Sequence, residues 1–327
     1  MRKVKTAARP LWHPFSWPGW LAVGILWLIA RMPLRPALAL GAASGPIVLA
    51  LLPRRRRILL RNLELCFPDW SAAQRSNIAS QNARESGRML VSFAWGWFGS
   101  LKRVAQLPVN IEGLEHIEAA RANGRGVLLV GAHFSHLELA GRLLCRFIPL
   151  AGMYREHHDP AFEWAVRKAR ARYASAMFRR DELRGVLRHL KSSGVLWYAP
   201  DQEYRRGDRL FAPFFGIPAS TITATHQLAR LTGAAVIGFE HQRGADGSYR
   251  LRLHAPLTDF PSADALADTT RVNALLEQII RQAPEQYLWL HARFKTRPEA
   301  AESLLSLIHI SEPTRLRRIS YAVFCLK

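Results

Sequence analysis

Three polar side chains in the middle of the chain are of the types that activate an alcohol. His133 and Glu138 lie five positions apart in the segment HFSHLE, and Asp201 follows an apolar run further along the chain. An imidazole can take a proton from a hydroxyl near neutral pH, and a carboxylate on its other ring nitrogen fixes the tautomer and stabilises the protonated ring. These residue types therefore predict general-base chemistry on a hydroxyl group.

The spacing of His133 and Glu138 limits how the two side chains can meet. On one continuous helix, residues five positions apart point about 140° away from each other, so the two could not pair. They can meet if His133 lies in a strand-to-helix loop and Glu138 lies in the first helical turn. We therefore expect the carboxylate of Glu138 to hold the imidazole of His133.

Two other interpretations apply to the same segment. Ser135 and Glu138 match the capping box S-x-x-E, in which the glutamate satisfies a backbone amide at the start of a helix. His133 and His136 could suggest a metal site. However, the sequence contains no HExxH motif and no third ligand at a suitable spacing, so we predict no metal and no cofactor.

The elements that must position these residues alternate between strand and helix patterns. Apolar runs typical of buried strands lie at residues 126–130, 152–154, 194–199 and 234–239. Helical patterns lie between them, at residues 137–147, 161–175 and 221–231. This alternation predicts an α/β fold with a mostly parallel sheet flanked by helices. His133, Arg155 and Asp201 each follow a predicted strand, and the carboxyl ends of parallel strands meet at one edge, so we expect one site there.

Composition narrows the class of partner. The chain has 327 residues, is 49% hydrophobic and carries a formal net charge of +21, which indicates one sizeable core and an anionic partner. No helix-turn-helix, RNA-recognition or zinc-finger signature is present, so we predict no nucleic-acid partner. The three cysteines are widely spaced and odd in number, which favours a reducing, cytoplasm-facing location.

The N-terminal segment has the composition of a membrane anchor. Apolar runs at residues 17–30 and 37–52 are followed by Pro53 and four arginines, and each run is slightly shorter than the roughly 18–20 residues that span a bilayer. Tryptophans suit a membrane interface and arginines suit anionic headgroups. We therefore predict an anchor and interfacial segment at residues 1–53. A cleaved signal peptide and a buried helix of a soluble core are the alternatives.

Several longer stretches carry a family likeness and appear in family order. They are RNLELCFPDWS (61–71), GVLLVGAHFSHLELAGR (126–142), GMYREHHDP (152–160), LWYAPDQEY (196–204), FAPFFGIPASTITAT (211–225) and APEQYLWLHARFKTRPE (283–299). They are spread over residues 61–299, and the likeness extends over nearly all of residues 12–300. The chain resembles the late acyltransferases of lipid A biosynthesis, the lauroyl/myristoyl transferase family within the lysophospholipid-acyltransferase-like superfamily.

The resemblance implies a fold, an activity and a set of site residues. It implies an inner-membrane enzyme of Gram-negative bacteria whose catalytic domain, residues 54–304, faces the cytoplasm. The donor would be an acyl carrier protein thioester, and the acceptor Kdo2-lipid IVA or its monoacylated product. The catalytic residues of the family fall on His133 and Glu138, and its substrate-binding residues on Arg155, Arg170 and Asp201.

The match has one departure and one ambiguity. Ala292 stands where a second basic residue often precedes Arg293, and Arg167 and Arg172 lie close enough to be alternatives to Arg170. Because G-x-S-x-G is absent, no serine occupies a nucleophile elbow, which favours direct transfer to the hydroxyl over an acyl-enzyme. A glycerol-phosphate or other lysolipid acyltransferase and a non-catalytic protein that binds anionic lipid are the alternative functions.

The C-terminal residues 305–327 differ in character from the rest of the chain. The start of LSLIHISEPTRLRRISYAVFCLK reads like an in-frame translation of a sequencing adapter, and the family likeness stops after Glu299. An ordinary amphipathic helix is the alternative, although Pro313 disfavours it. We predict that this tail is not native to the protein, and we assign it no function.

Overall fold

The computed structural model describes residues 10–205, 207–298 and 304. The tail at residues 305–327 therefore lies outside the described residues. Within them, a seven-stranded sheet has the strand order β1-β9-β8-β2-β5-β3-β4, and β6 and β7 form a separate hairpin. The strands are β1 (Val109–Glu112), β2 (Val127–Gly131), β3 (Leu150–Tyr154), β4 (Ala176–Arg179), β5 (Val195–Tyr198), β6 (Arg209–Phe214), β7 (Ile217–Ile222), β8 (Ala235–Arg243) and β9 (Tyr249–Leu253).

Helices precede the sheet and connect its strands. They are α1 (Trp17–Arg31), α2 (Leu34–Ala50), α3 (Pro53–Cys66), α4 (Ala72–Phe98), α5 (Leu101–Ala105), α6 (Leu114–Ala122), α7 (Leu137–Leu144), α8 (Pro160–Arg170), α9 (Leu183–Lys191), α10 (Ala224–Thr232) and α11 (Ala265–Gln282). Short 3-10 turns lie at Pro14–Ser16 and Pro284–Gln286. Helix α4 begins with a capping box between Ser71 and Gln74, which fixes the start of the longest helix.

The large sheet is parallel except at one pair of strands. Strand β2 lies at its centre and pairs in parallel with β5 on one side and with β8 on the other. The antiparallel pair is β8 with β9, and β9 then pairs in parallel with β1. An α/β fold with a mostly parallel sheet flanked by helices, as predicted, is confirmed. The carboxyl ends of β2, β5 and β3 therefore lie side by side.

Alternate side chains of β2 fill the two halves of the core. Leu128 and Val130 point to one face of the sheet, where α3, α9, α10 and α11 pack. Val127 and Leu129 point to the other face, where α4, α6 and α7 pack. All four side chains are fully buried. A strand with apolar residues on both faces is typical of the middle of a covered parallel sheet.

The two N-terminal helices pack on α4. Gly41 and Gly45 of α2 face Gly87 of α4 so closely that a Cβ atom at any of the three positions would meet backbone of the other helix.

No single described helix is long and apolar enough to cross a membrane. Helices α2 and α3 pass that test of length and composition only as a pair, and the chain bends by 100° between them.

The predicted elements agree with the structure at their centres and differ at their ends. The four predicted strands are β2, β3, β5 and β8. The helix predicted from residue 221 begins at Ala224, because residues up to Ile222 pair with β6 in the hairpin. The helix predicted over residues 161–175 ends at Arg170, since the chain turns there toward β4, a strand that the sequence pattern did not reveal.

Candidate active site

His133 and Asp201 form a hydrogen-bonded pair at the carboxyl ends of β2 and β5. These strands are neighbours in the sheet, so the loops that follow them meet. Nδ1 of His133 lies 2.6 Å from Oδ1 of Asp201, and the backbone N–H of His133 donates to Oδ2 at 3.0 Å. Both carboxylate oxygens therefore hold one residue, which fixes the ring orientation of His133 and its backbone position together.

The environment of Asp201 keeps it ionised. Burial alone would raise the pKa of this carboxyl, but the adjacent His133, the hydrogen bonds from its ring and backbone, and the hydroxyl of Tyr287 together hold the pKa below its ordinary value. An ionised carboxylate only accepts hydrogen bonds, so the proton between the two groups lies on Nδ1 of His133, and in the neutral ring Nε2 is the nitrogen with the lone pair. The side chain of His133 is 16% exposed whereas Asp201 is fully buried, which leaves the histidine as the accessible member.

Glu138 does not hold His133, so the expected hydrogen bond between them is wrong. Asp201 occupies that position, and Glu138 turns the other way. Glu138 lies in the first turn of α7, which packs on α4, and there Nε1 of Trp97 donates to Oε2 at 2.7 Å. Packing between the two helices therefore decides the direction of this side chain, and the spacing of the histidine and the glutamate could not show it.

The capping-box interpretation of this segment is also wrong. Helix α7 begins at Leu137 with His136 in the N-cap position, and no side chain caps the helix. The hydroxyl of Ser135 instead donates to Oε2 of Glu85 on α4 at 2.8 Å. Ser135 and Glu138 therefore do not form a capping box, because the N-cap residue is His136 and the motif requires Ser135 at that position.

Glu138 forms a buried ion pair with Arg170 at the end of α8. Nε of Arg170 donates to Oε2 of Glu138 at 3.2 Å, and Nη2 contacts Oε1. The two side chains are 6% and 8% exposed. Burial would lower the pKa of Arg170, but the charge and hydrogen bonds of Glu138 outweigh it and raise that pKa. The guanidinium also lies over the rings of Trp97 and Tyr154. Of the three candidate arginines, the structure thus brings Arg170 to the predicted glutamate.

Arg155 stands at the same edge of the sheet as the histidine pair. It follows Tyr154, the last residue of β3, and is partly buried. Its Nη2 lies 3.5 Å from Nε2 of His158. Strand β3 pairs with β5, the strand that precedes Asp201, so Arg155 is placed on the side of the site where α8 and Arg170 also lie.

His136, considered above as a metal ligand, belongs to a buried histidine pair. Its Nε2 lies 3.0 Å from Nδ1 of His241 in β8. Burial lowers the pKa of His241 to about 3 and also lowers that of His136 well below its ordinary value, so both rings are neutral. Among the residues that the structure describes, no group of three or more histidine, cysteine, aspartate or glutamate side chains is arranged to hold a metal ion.

A segment near the end of the described chain binds the loop that carries His133. We call residues 283–291 the strap. The N–H of Leu288 donates to the carbonyl of His133 at 2.8 Å, and the N–H of Ser135 donates to the carbonyl of Gln286 at 2.8 Å. The hydroxyl of Tyr287 hydrogen bonds Asp201, and burial followed by the charge of Asp201 raises the pKa of this phenol. The strap therefore contacts both members of the pair.

Two buried asparagines hold the strap in place. The amide of Asn82 in α4 donates to the carbonyls of Glu285 and Tyr287 at 2.8 and 2.7 Å. The amide of Asn62 in α3 donates to those of Trp289 and His291 at 2.7 and 2.8 Å. The sequence did not predict the two asparagines or the strap as parts of the site. Two of the family-like stretches, RNLELCFP and APEQYLWLH, contain Asn62 and the strap, and they carried the available signal.

Comparison with known proteins shows the family to which the chain is similar. The family model described as bacterial lipid A biosynthesis acyltransferase matches residues 4–296. The chain is 39% identical to a lipid A biosynthesis lauroyltransferase of Escherichia coli (strain K12), over 93% of this chain and 99% of the relative. It is also 39% identical to a lipid A biosynthesis palmitoleoyltransferase of the same organism, over 91% and 97%. A solved structure, the 1-acyl-sn-glycerophosphate acyltransferase PlsC of Thermotoga maritima, aligns over 73% of this chain and 98% of its own with 14% identity and a TM-score of 0.36.

Proposed function

The chain belongs to the bacterial lipid A biosynthesis acyltransferase family, and from that premise we propose its reaction in detail. It transfers a lauroyl or myristoyl chain from an acyl carrier protein thioester to a hydroxyl of Kdo2-lipid IVA or of its monoacylated product. The observation that carries the proposal is the 2.6 Å pair of His133 and Asp201, with one ring nitrogen held and the other able to accept a proton. A protein that only binds anionic lipid has no use for such a pair.

The proposed reaction is a direct transfer. Nε2 of His133 takes the proton of the acceptor hydroxyl while its oxygen attacks the thioester carbonyl carbon. The carbon–sulfur bond then breaks, and the sulfur leaves with the proton that His133 acquired, which gives a free thiol and an ester. Asp201 stabilises the imidazolium between these two steps. The pair can therefore act as base and then as acid without a covalent intermediate.

Nearby arginines supply the positive charge that the transition state requires. The carbonyl oxygen becomes negative as the hydroxyl attacks, and preformed donors stabilise it. Arg155 at the end of β3 is the donor that we assign. Glu138 has a positioning role, because it holds Arg170 through a buried ion pair next to Tyr154 at the end of the same strand.

The buried Cys66 and the half-buried Cys145 are unsuited to an alternative with an acyl-enzyme. Burial raises the pKa of the Cys145 thiol to about 12 and raises that of Cys66 as well. The thiolate is the nucleophilic form of cysteine, so neither residue reacts at neutral pH. This supports transfer within a complex that holds the donor and the acceptor together.

We place the enzyme at the inner membrane with the catalytic domain on the cytoplasmic side. Helix α1 exposes Leu21, Ile25 and Leu28, which are 67%, 47% and 60% exposed and follow each other at helical spacing. An apolar face of this kind binds the interfacial region of a bilayer. The lipid acceptor then presents its hydroxyls without leaving the membrane. Leu21→Ser with Ile25→Ser should release the protein from membranes at high salt, and retention equal to the parent would contradict the assignment.

Mass spectrometry of the acceptor tests the activity. Purified protein is incubated with Kdo2-lipid IVA or its monoacylated product and with lauroyl, myristoyl and palmitoleoyl thioesters of acyl carrier protein. We expect the mass of one acyl chain to be added by the parent and no addition by His133→Ala, whose melting temperature serves as the control for folding. Addition by a folded His133→Ala protein would refute the mechanism, and no addition by the parent would refute the function.

A further inference from the structure

A small cavity close to the Asp201 loop is lined by basic side chains from three distant parts of the chain. Its volume is about 110 Å³. Arg54 and Arg55 reach it from the start of α3, Arg205 from the segment after Asp201, and His291 and Lys295 from the end of the strap and the residues beyond it. Folding has therefore brought four permanent cations to one concave surface, in addition to a histidine.

The acidic residue on the wall of this cavity is already engaged. Oε2 of Glu203 accepts from Nε of Arg205 at 2.8 Å, and Oε1 accepts from the backbone N–H and the hydroxyl of Thr296 at 2.7 and 2.6 Å. Among the described residues that line the cavity, one carboxylate stands against Arg54, Arg55, Arg205 and Lys295, which leaves this lining positive. Charge of one sign in a concave site raises the local concentration of an anion.

The first turn of α3 carries positive charges, which disfavour the start of a helix. The first helical turn begins with Pro53 and continues with arginines, and it contains no acidic residue. Backbone amides make this end of a helix positive, so carboxylates stabilise it and arginines do not. The arginines gathered at this positive end favour a bound anion, particularly phosphate. A sequence that breaks a local rule in this way, next to a cavity, is typical of a functional site.

An apolar surface on α2, the helix that precedes the cavity arginines, indicates which kind of molecule carries the anionic group. Leu40, Ile47 and Leu51 of α2 and its C-cap lie at helical spacing and are 60%, 65% and 76% exposed. Leu51 precedes Arg54 by three residues, and the chain bends by 100° between α2 and α3, so the stripe lies on the element that comes immediately before the cavity arginines. A soluble phosphate compound would not use the stripe. A lipid with acyl chains and a phosphorylated headgroup matches both surfaces.

We propose that the cavity binds a phosphate group on the headgroup of the lipid acceptor, while the stripe on α2 contacts its acyl chains. This inference rests on the proposed function. It also explains a link to the active site, because Glu203 is two residues from Asp201 and Asn62 of α3 holds the strap. A phosphate in the cavity joins α3, the Asp201 loop and the strap. The last two contact His133 directly, and α3 holds the strap.

Matched variants of the arginine block test the proposal. Arg54→Ala and Arg205→Ala remove cavity charges, whereas Arg57→Ala removes one exposed charge from the same block outside the cavity. Acyl transfer by the full chain is measured with Kdo2-lipid IVA and with the same lipid after enzymatic removal of its phosphates. We expect kcat/KM for the phosphorylated acceptor to fall about tenfold in each cavity variant and less than about twofold in Arg57→Ala. With the dephosphorylated acceptor, all four proteins should be alike.

Three results would overturn the inference. They are an equal loss in Arg57→Ala, a loss that persists with the dephosphorylated acceptor, and a rise in KM for the acyl carrier protein thioester in place of the acceptor. If the parent transfers no acyl chain at all, the proposed function fails, and the cavity is judged by binding alone. In that case the parent must bind vesicles that contain Kdo2-lipid IVA more tightly than vesicles with the dephosphorylated lipid, and Arg54→Ala must lose the preference. A parent without that preference would overturn the inference.

Discussion

Replacement of Glu138 by glutamine separates the ion pair from a capping role. The variant keeps an acceptor for Nε1 of Trp97 but removes the charge that balances Arg170, which is 6% exposed. A buried charge that loses its partner costs about 3–5 kcal/mol of unfolding free energy. If Glu138 only capped the helix, Glu138→Gln would hardly change the free energy of unfolding, because glutamine serves in a capping box as well as glutamate does.

The expected change in melting temperature follows from the size of the protein. Unfolding entropy is about 2.1 cal/mol/K per residue, so a chain of 327 residues has about 0.7 kcal/mol/K. Division of 3–5 kcal/mol by this entropy gives a loss of about 4–7 °C. Differential scanning calorimetry of the parent and the variant in the same detergent measures it. Acyl transfer by the variant should also fall, since Arg170 loses the group that positions it.

Two further variants make the measurement decisive. Glu156 pairs with Arg179 on the surface, with side chains 52% and 40% exposed, and Glu156→Gln should not change the melting temperature measurably. Glu138→Gln combined with Arg170→Met removes both buried charges and should recover part of the loss. If Glu138→Gln melts with the parent, or if the double variant is less stable than Glu138→Gln alone, the buried charge does not have the predicted cost.

Three other predictions concern the histidine pair and the thiols. Because the folded protein lowers the pKa of Asp201, the ionised carboxylate stabilises the fold at pH values above about 3.9, the ordinary pKa of an aspartate, and this stabilisation is lost as the pH falls further. Asp201→Asn should therefore melt below the parent at pH 7, and the difference in melting temperature should shrink below about pH 4. A difference that does not change with pH would contradict this prediction. Tyr287→Phe should lower kcat about tenfold and move the acidic limb of the pH–rate profile upward, because Asp201 loses a donor; an unmoved limb would assign the hydroxyl a structural role only. Iodoacetamide at pH 8 should leave Cys66 and Cys145 unmodified in the native protein, as mass spectrometry of peptides would show, since burial raises both pKa values.

The sequence predicted where the site lies better than how its members pair. Apolar runs indicated β2, β3 and β5, and the residues after them do meet at one edge of the sheet. Which carboxylate holds His133 depended on the packing of α7 against α4, and Trp97 turned Glu138 away from it. No local pattern encodes a contact between residues that far apart in the chain.

The same limit applies to the strap and to the short strands. Leu288 bonds His133 through its backbone, so its side-chain type reveals nothing of the contact. Asn62 and Asn82 act through buried amides on helices whose polar residues would ordinarily face solvent. Strand β4 has four partly buried residues and too little alternation to distinguish it from a loop. The residues that complete the site are therefore those whose roles arise only after the chain has folded.

The position of the strap in the chain also affects when the enzyme can first work during its synthesis. A nascent chain that has left the ribosome only as far as the end of α11 already carries His133 and Asp201. It lacks the backbone groups that bond residues 133 and 135 and the hydroxyl that bonds Asp201. Incomplete chains thus hold the side chains of His133 and Asp201 without the backbone groups that orient them. The site that we propose is therefore complete only after residues up to 291 have left the ribosome and packed against the loop of His133.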